Sequence, residues 1–154
     1  MTPLRKPPAL KKGDLIGVVA PAGAVKADDL GAGIRRLEEL GFRVVLGRSV
    51  YRTSRYLAGR DQDRAADLSE MFANPEVKAV VAARGGYGTS RLLPFLDAAA
   101  LARFPKIFVG SSDLTISCTS YGRRVSSLRF TDRWLARTSA SIPRRPRTTR
   151  SSAC

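Results

Sequence analysis

The stretch Leu15-Ile16-Gly17-Val18-Val19-Ala20, followed by Pro21-Ala22-Gly23, decides the fold of this chain. An uninterrupted apolar run predicts a strand buried on both faces, which is typical of a parallel sheet. The Pro/Gly segment predicts the loop by which the chain leaves that strand. Further apolar runs predict three more strands, over residues 42–46, 77–82 and 106–109.

The segments between these strands carry helical periodicity. Asp28 or Asp29 is expected to cap the first helix. Asp61 is expected to cap the second helix, which Pro75 closes, and a short third helix is expected to begin near Ser90. Strands that alternate with helices predict βαβ units, and therefore an α/β fold with a flavodoxin- or Rossmann-like parallel sheet and flanking helices.

The positive charge of the chain is unevenly distributed. The 154 residues carry a formal net charge of +14. Residues 116–154 hold 9 arginines, no lysine and one acid, a net charge of +8, against +6 for residues 1–115. The sequence therefore divides into an N-terminal α/β domain, 1–115, and an Arg/Ser-rich tail, 116–154, which is expected to be irregular or disordered.

Cysteine usage and hydropathy exclude several classes of protein. The two cysteines, Cys118 and Cys154, have no metal-ligand spacing and predict neither a disulfide framework nor a zinc site. The N-terminus has no signal-peptide h-region, and no apolar run is long enough to cross a membrane. A cytoplasmic protein without membrane contact is expected.

The candidate site follows from the strand ends, because ligands of parallel sheets bind beyond the carboxyl ends of the strands. Those ends carry residues 21–23, 84–88 and 111–113. Gly110-Ser111-Ser112-Asp113 resembles a nucleophile elbow without its second glycine. Ser112 would be presented at the turn, and the backbone N–H of Asp113 would face a developing oxyanion. The alternative is that Ser112 or Asp113 only caps a helix.

The second candidate loop is Arg84-Gly85-Gly86-Tyr87-Gly88. Its three glycines let backbone N–H groups approach a ligand closely. It is neither a Walker loop nor a dinucleotide fingerprint. The alternative is a tight turn between a strand and a helix.

Several segments, taken together and in order, resemble the LD-carboxypeptidase (muramoyltetrapeptide carboxypeptidase) family, whose relatives include the microcin self-immunity peptidase. The segments are Gly13-Asp14, Ile16 to Pro21, Tyr56-Leu57-Ala58-Gly59, Arg64-Ala65-Ala66-Asp67-Leu68, Ala83 to Gly88, Lys106 to Gly110, and Ser112-Asp113. The resemblance covers about residues 3–115.

The resemblance implies roles for individual residues. Ser112 would be the nucleophile of a serine-type carboxypeptidase, and Asp113, Gly86 and Gly85 would form the oxyanion hole. Arg84, Tyr87 and Gly88 would belong to the substrate loop. Position 111 is Ser where the family has Tyr.

The same resemblance implies the partners of the protein. The substrate would be a murein tetrapeptide that loses its terminal D-alanine, no cofactor or metal would be needed, and a homodimer would be expected as in the family.

The family places the Glu and His of its triad in a C-terminal domain, which is expected to be absent here. The chain contains no histidine, so we expect it to be truncated and inactive by itself. A frameshift after Thr115 would explain the tail. A shifted reading of residues 130–134, with permitted synonymous codons, can give the family's His-Gly-Pro-Met.

Two other functions remain open at this point. The arginine-rich tail could bind nucleic acid, with an affinity that falls steeply with salt. Without the tail, nucleic acid is not an expected partner. The glycine loop could instead serve a flavodoxin-like module that binds an anion.

Overall fold

The computed structural model describes residues 7–97, 101, 104–110 and 113–114. Its elements are β1 (Leu15–Val19), α1 (Ala27–Glu39), β2 (Arg43–Leu46), α2 (Asp61–Ala73), β3 (Val77–Ala82), a 3-10 helix (Ser90–Phe95) and β4 (Ile107–Val109). Each predicted strand is found within a residue of its expected bounds. The predicted α/β fold is therefore confirmed.

The four strands form one parallel sheet in the order β2-β1-β3-β4. β1 and β3 occupy the centre, as expected for strands that read as continuous apolar runs. Val18 of β1 lies in register with Leu46 on one side and Val81 on the other. Because all four strands run in the same direction, the loops that follow them leave from the same edge.

Each face of the sheet has its own hydrophobic core. On one face Val19 and Val80 pack with Leu68, Met71 and Phe72 of α2. The opposite face is centred on Ile16, Val18, Leu30 and Val81, with α1 above it. Alternate residues of the same strand serve the two cores because side chains alternate across a strand. Burial of each such side chain stabilises the fold by about 1.5–3 kcal/mol.

The expected capping of both helices is wrong. The N-cap position of α1 is Lys26, without a side-chain cap, so Asp28 and Asp29 lie in the first turn instead. In the first turn their negative charges interact favourably with the positive end of the helix dipole. α2 likewise begins after Arg60, and Asp61 is its first helical residue. The carboxylate of Asp61 binds two arginines.

The third predicted helix is a 3-10 helix that contains Pro94 and ends at Phe95. A proline lacks the N–H that a longer α-helix would need, which explains the tighter, short element. The expected tail, 116–154, lies outside the described residues. Within the part of the chain that is described, no helix has the length and apolar character needed to cross a membrane.

Candidate active site

Three loops meet at the carboxyl edge of the sheet. Gly23, in the loop after β1, forms an antiparallel bridge with Leu57. The Ala24 N–H donates to the carbonyl oxygen of Tyr56 at 2.9 Å, and the Ala58 N–H donates to that of Ala22 at 3.1 Å. The loop after β3 joins them through Arg84, whose Nη1 donates to the Ala24 carbonyl at 2.8 Å. The segments 22–24, 54–58 and 84–88 are therefore one connected surface.

The glycine loop, residues 84–88, lies directly against the loop after β1. A Cβ atom added at Gly23 would lie 3.2 Å from the carbonyl oxygen of Gly85, and one at Gly86 would lie 3.4 Å from the Gly23 nitrogen. Gly86 has φ +127° and Gly88 has φ +115°, conformations that favour glycine. Gly88 is buried, while Arg84 and Tyr87 are exposed. The loop thus exposes backbone close to a strand end.

A fully buried arginine supports this surface from below. Nη1 of Arg64 donates to the carbonyl oxygens of Pro21 and Gly88, the latter at 3.2 Å, and Nη2 pairs with Asp61. A single side chain of α2 therefore ties the loop after β1 to the end of the glycine loop. Such charge-assisted bonds are among the stronger ones in proteins.

Asp61 is shared between two arginines. Its second carboxylate oxygen accepts a hydrogen bond from Nε of Arg91 at 2.8 Å. That bond and the negative charge of Asp61 raise the pKa of the Arg91 guanidinium. Arg91 lies in the 3-10 helix, so this contact holds the start of that helix against the start of α2.

A buried carboxylate, that of Asp67, organises the loop after β2. Asp67 accepts hydrogen bonds from the backbone N–H groups of Arg48 at 2.9 Å and Ser49 at 2.8 Å, and from the Ser49 hydroxyl. It lies in the same helix as Arg64. The two charged residues at the ends of the Arg64-Ala65-Ala66-Asp67 segment thus fix loops that follow different strands.

The exposed side of the site carries an aromatic pair. The ring centroids of Tyr56 and Tyr87 are 6.4 Å apart, with the ring planes inclined by 44°. More than half of each side chain is exposed to solvent. Exposed aromatic groups beside a glycine loop offer a surface for the apolar parts of a ligand.

The turn after β4 is described only in part. Ser111 and the predicted nucleophile Ser112 lie outside the described residues. Asp113 is half-buried, and its Oδ2 accepts a hydrogen bond from the backbone N–H of Thr89 at 2.6 Å. The residue next to Ser112 is therefore bonded to the residue that follows the glycine loop.

The structure thus brings Gly85, Gly86, Gly88 and Asp113 into one region, with Arg84 and Tyr87 on its exposed side. Sequence reasoning gave no role in the site to Arg64, Arg91, Thr89 or Tyr56, and it considered Asp61 only as a helix cap. One signal for Arg64 was available, since it shares a helical face with Leu68 and Met71. A charged residue on the buried face of an amphipathic helix needs partners.

No group of three or more metal-ligating side chains occurs among the described residues.

A doubly covered parallel sheet with glycine-rich loops at its carboxyl edge defines the class of α/β domains in which ligands generally bind at that edge. The chain belongs to the LD-carboxypeptidase family, whose N-terminal domain model matches residues 16–128. The expected family is therefore confirmed, although the match extends to residue 128, beyond the expected limit near 115.

Individual relatives agree with this assignment. The chain is 44% identical over 125 residues to a probable murein peptide carboxypeptidase of Bacillus subtilis, covering 81% of this chain and 39% of that protein. The structure of a muramoyltetrapeptide carboxypeptidase from Oxalobacter formigenes superposes on this chain with a TM-score of 0.63 and 40% sequence identity. The match covers 70% of this chain and 36% of the Oxalobacter chain.

The microcin C7 self-immunity protein MccF gives a TM-score of 0.73 and 29% identity, over 80% of this chain and 37% of MccF. The chain thus spans 39% or less of the length of each of these three relatives.

Proposed function

We propose that this chain supplies the nucleophile-bearing part of a serine-type LD-carboxypeptidase that removes the terminal D-alanine from murein tetrapeptides. The family and the names of its relatives support the substrate class. The observation that carries the proposal is the hydrogen bond between Thr89 and Asp113, because it joins the glycine loop to the residue beside Ser112.

In this proposal Ser112 Oγ attacks the carbonyl carbon before the terminal residue, and its proton passes to a general base. The backbone N–H groups of Gly86 and Asp113, with Gly85 beside them, stabilise the negative charge on the carbonyl oxygen. Collapse of the intermediate breaks the C–N bond, and the protonated amine of D-alanine leaves. Water then hydrolyses the acyl-enzyme and restores the Ser112 hydroxyl.

The general base is the missing component. The sequence has no histidine, and the resemblance assigns the His and Glu of the triad to the C-terminal domain of the family. We therefore propose that the 154-residue polypeptide is inactive alone, because an unactivated hydroxyl is a weak nucleophile. By resemblance, the complete enzyme acts in the cytoplasm on recycled murein peptides, as a homodimer.

A chimera tests the proposal. Residues 1–115 of this chain are joined to the part of the Bacillus subtilis relative that follows the position aligned with residue 115. We expect the chimera to release D-alanine from a murein tetrapeptide, whereas the 154-residue chain releases none above background. Ser112→Ala abolishes release, and the matched neighbour variant Ser111→Ala retains it. A folded chimera without activity, or one that Ser112→Ala leaves active, contradicts the proposal.

The arginine content of residues 116–154 favours a second candidate, a polyanion-binding tail. Nine guanidinium groups can neutralise phosphates and release counterions, so binding would weaken steeply with salt. Fluorescence anisotropy with a labelled single-stranded DNA tests this. Deletion of 116–154 abolishes the binding if the tail carries it, while equal binding by the deleted chain rejects this candidate.

A further inference from the structure

The hydrogen bond between Thr89 and Asp113 spans 24 residues of chain. Its acceptor is a carboxylate oxygen, its N···O distance is 2.6 Å, and the contact is partly buried. A carboxylate that only capped the helix after it would bond to an N–H two or three residues further along. The bond observed here instead reaches back to the segment that follows β3.

Both ends of this hydrogen bond are anchored in the interior. Leu114, next to Asp113, is fully buried and packs in the core with Val80 and Phe108. Thr89 is also fully buried, and the carbonyl oxygen of the preceding residue, Gly88, accepts from Arg64. The bond therefore connects two fixed points rather than two free loops.

These contacts form a continuous path across the edge of the sheet. The Asp61 carboxylate accepts a hydrogen bond from the Arg64 guanidinium, which also donates to the Gly88 carbonyl oxygen. The adjacent residue Thr89 then donates to Asp113. The path ends one residue from Ser112, and it begins at the first residue of α2.

We propose that the Asp113 carboxylate is a positioning residue, which fixes the distance between the glycine loop and the turn that carries Ser112 by accepting the Thr89 N–H. The proposal rests on the proposed function, in which the Gly86 and Asp113 N–H groups share one oxyanion. Oxyanion stabilisation requires donors that are already in place when the charge develops. The two N–H groups come from different loops, so their separation needs such a link.

The link can be measured in the 154-residue chain without any hydrolysis. In ¹⁵N-labelled protein, Asp113→Ala is expected to increase amide hydrogen exchange at Thr89 by about tenfold or more, as for loss of a charge-assisted hydrogen bond. A hydrogen bond of this length should shift the Thr89 amide proton downfield in the wild type, and this shift should disappear in the variant. Asp113→Asn keeps an oxygen acceptor and should restore most of the protection and the shift.

Asp14→Ala is the matched control. The Asp14 carboxylate likewise accepts a backbone N–H, that of Lys11 at 2.7 Å, but it lies at the opposite end of β1. This variant should leave exchange at Thr89 unchanged. Equal exchange in the wild type and Asp113→Ala overturns the proposal. A uniform increase that includes Val18 and Val19 also overturns it, because it would indicate general destabilisation. If Asp113→Ala fails to fold, an Asn variant without the Thr89 shift overturns it instead.

The chimera separates this inference from the proposed function. Asp113→Ala in the chimera should lower kcat by about a hundredfold with little change in KM, since the donors act on the transition state. An active chimera whose kcat does not depend on the carboxylate rejects the positioning role alone. An inactive chimera with an intact Thr89 shift rejects the proposed function and leaves the link in place.

Discussion

Nη1 of Arg64 donates a hydrogen bond to the carbonyl oxygen of Gly88 at 3.2 Å, in a position fully shielded from solvent. The same nitrogen also donates to the carbonyl oxygen of Pro21, in the loop after β1. A guanidinium presents several donors in a fixed plane, so one side chain can hold two loops at once. The shape of the candidate site therefore depends on a helix residue that itself lies behind the site.

Arg64→Met should lower the free energy of unfolding by about 3 kcal/mol. It leaves two buried carbonyl oxygens without donors, and each unsatisfied group costs about 1–3 kcal/mol. Urea unfolding followed by circular dichroism measures the change. Arg64→Lys should lose less, because an ammonium still donates, though without the planar fork.

Arg36→Met is the control for Arg64→Met. Arg36 pairs with Glu39 at 3.0 Å on the exposed face of α1. Removal of an exposed pair of this kind should change the free energy of unfolding by less than about 0.5 kcal/mol. If the two variants lose similar free energies of unfolding, the buried hydrogen bonds of Arg64 do not contribute to the stability of the fold.

Gly88→Ala should destabilise the chain for two separate reasons. The position has φ +115°, and an added Cβ would lie 2.6 Å from Cδ2 of the buried Leu57. We expect a loss of about 2–4 kcal/mol in urea unfolding, from backbone strain together with overpacking.

Gly13→Ala isolates the backbone contribution. Gly13 also has a positive φ, +89°, but an added Cβ there would have no described atom within 4 Å. Its cost should therefore stay near 1 kcal/mol. An equal loss for the two alanine variants would contradict the predicted contact with Leu57.

The sheet could be predicted from sequence because burial on both faces leaves a local signature. Leu15 to Val19 and Val77 to Ala82 are apolar at nearly every position, and each is a strand. The capping prediction at Asp61 failed for a tertiary reason. Its carboxylate binds Arg64 and Arg91, and the second of these lies 30 residues away. The hydrophobic periodicity of a helix contains no information on which side chains its polar residues will bind in the folded chain.

The candidate site was likewise predictable from the sequence only in its local features. Glycine spacing and strand ends predicted residues 84–88 as a loop close to a ligand, and the structure has Gly86 and Gly88 at positive φ. The links that connect this loop to others arise from Arg64 and from the Asp113 side chain. Sequence reasoning considered the Asp113 side chain only as a possible helix cap, because the position of Thr89 depends on the folded sheet.

Tyr87→Ala should weaken substrate binding without affecting stability. The side chain is 63% exposed and pairs with Tyr56 beside the glycine loop. In the chimera we expect KM to rise about tenfold with kcat little changed, because the ring would contact the substrate equally in the ground and transition states. Steady-state D-alanine release measures both constants.

Tyr51→Ala is the matched control for Tyr87→Ala. Tyr51 follows β2 and is exposed to a similar extent, 62%. Its removal should leave both constants unchanged. If Tyr51→Ala raises KM as much as Tyr87→Ala, then general aromatic character at this edge is responsible, and the specific role of the substrate loop is rejected.

Lys106 should make the stability of the chain increase with pH in the alkaline range. Its Nζ donates to the carbonyl oxygens of Met71, at 2.8 Å, and Asn74, where α2 ends. Burial, and secondarily the charge of Lys78, lower the pKa of Lys106 from 10.5 to about 8. Between pH 8 and 10.5 the unfolded chain therefore binds a proton at this residue that the folded chain does not.

Because the unfolded chain binds this extra proton, the free energy of unfolding increases with pH between pH 8 and 10.5. The increase is up to about 3 kcal/mol, since each pKa unit corresponds to about 1.4 kcal/mol. Below pH 8 the cost of keeping the charge buried is fully present, and above pH 10.5 it is gone. Urea unfolding of the wild type at pH 7.5, 9 and 10 should show the increase. Lys106→Met removes the titrating group, so its unfolding free energy should lack this increase. Parallel pH profiles for the two proteins would show that the lysine charge is not what limits stability here.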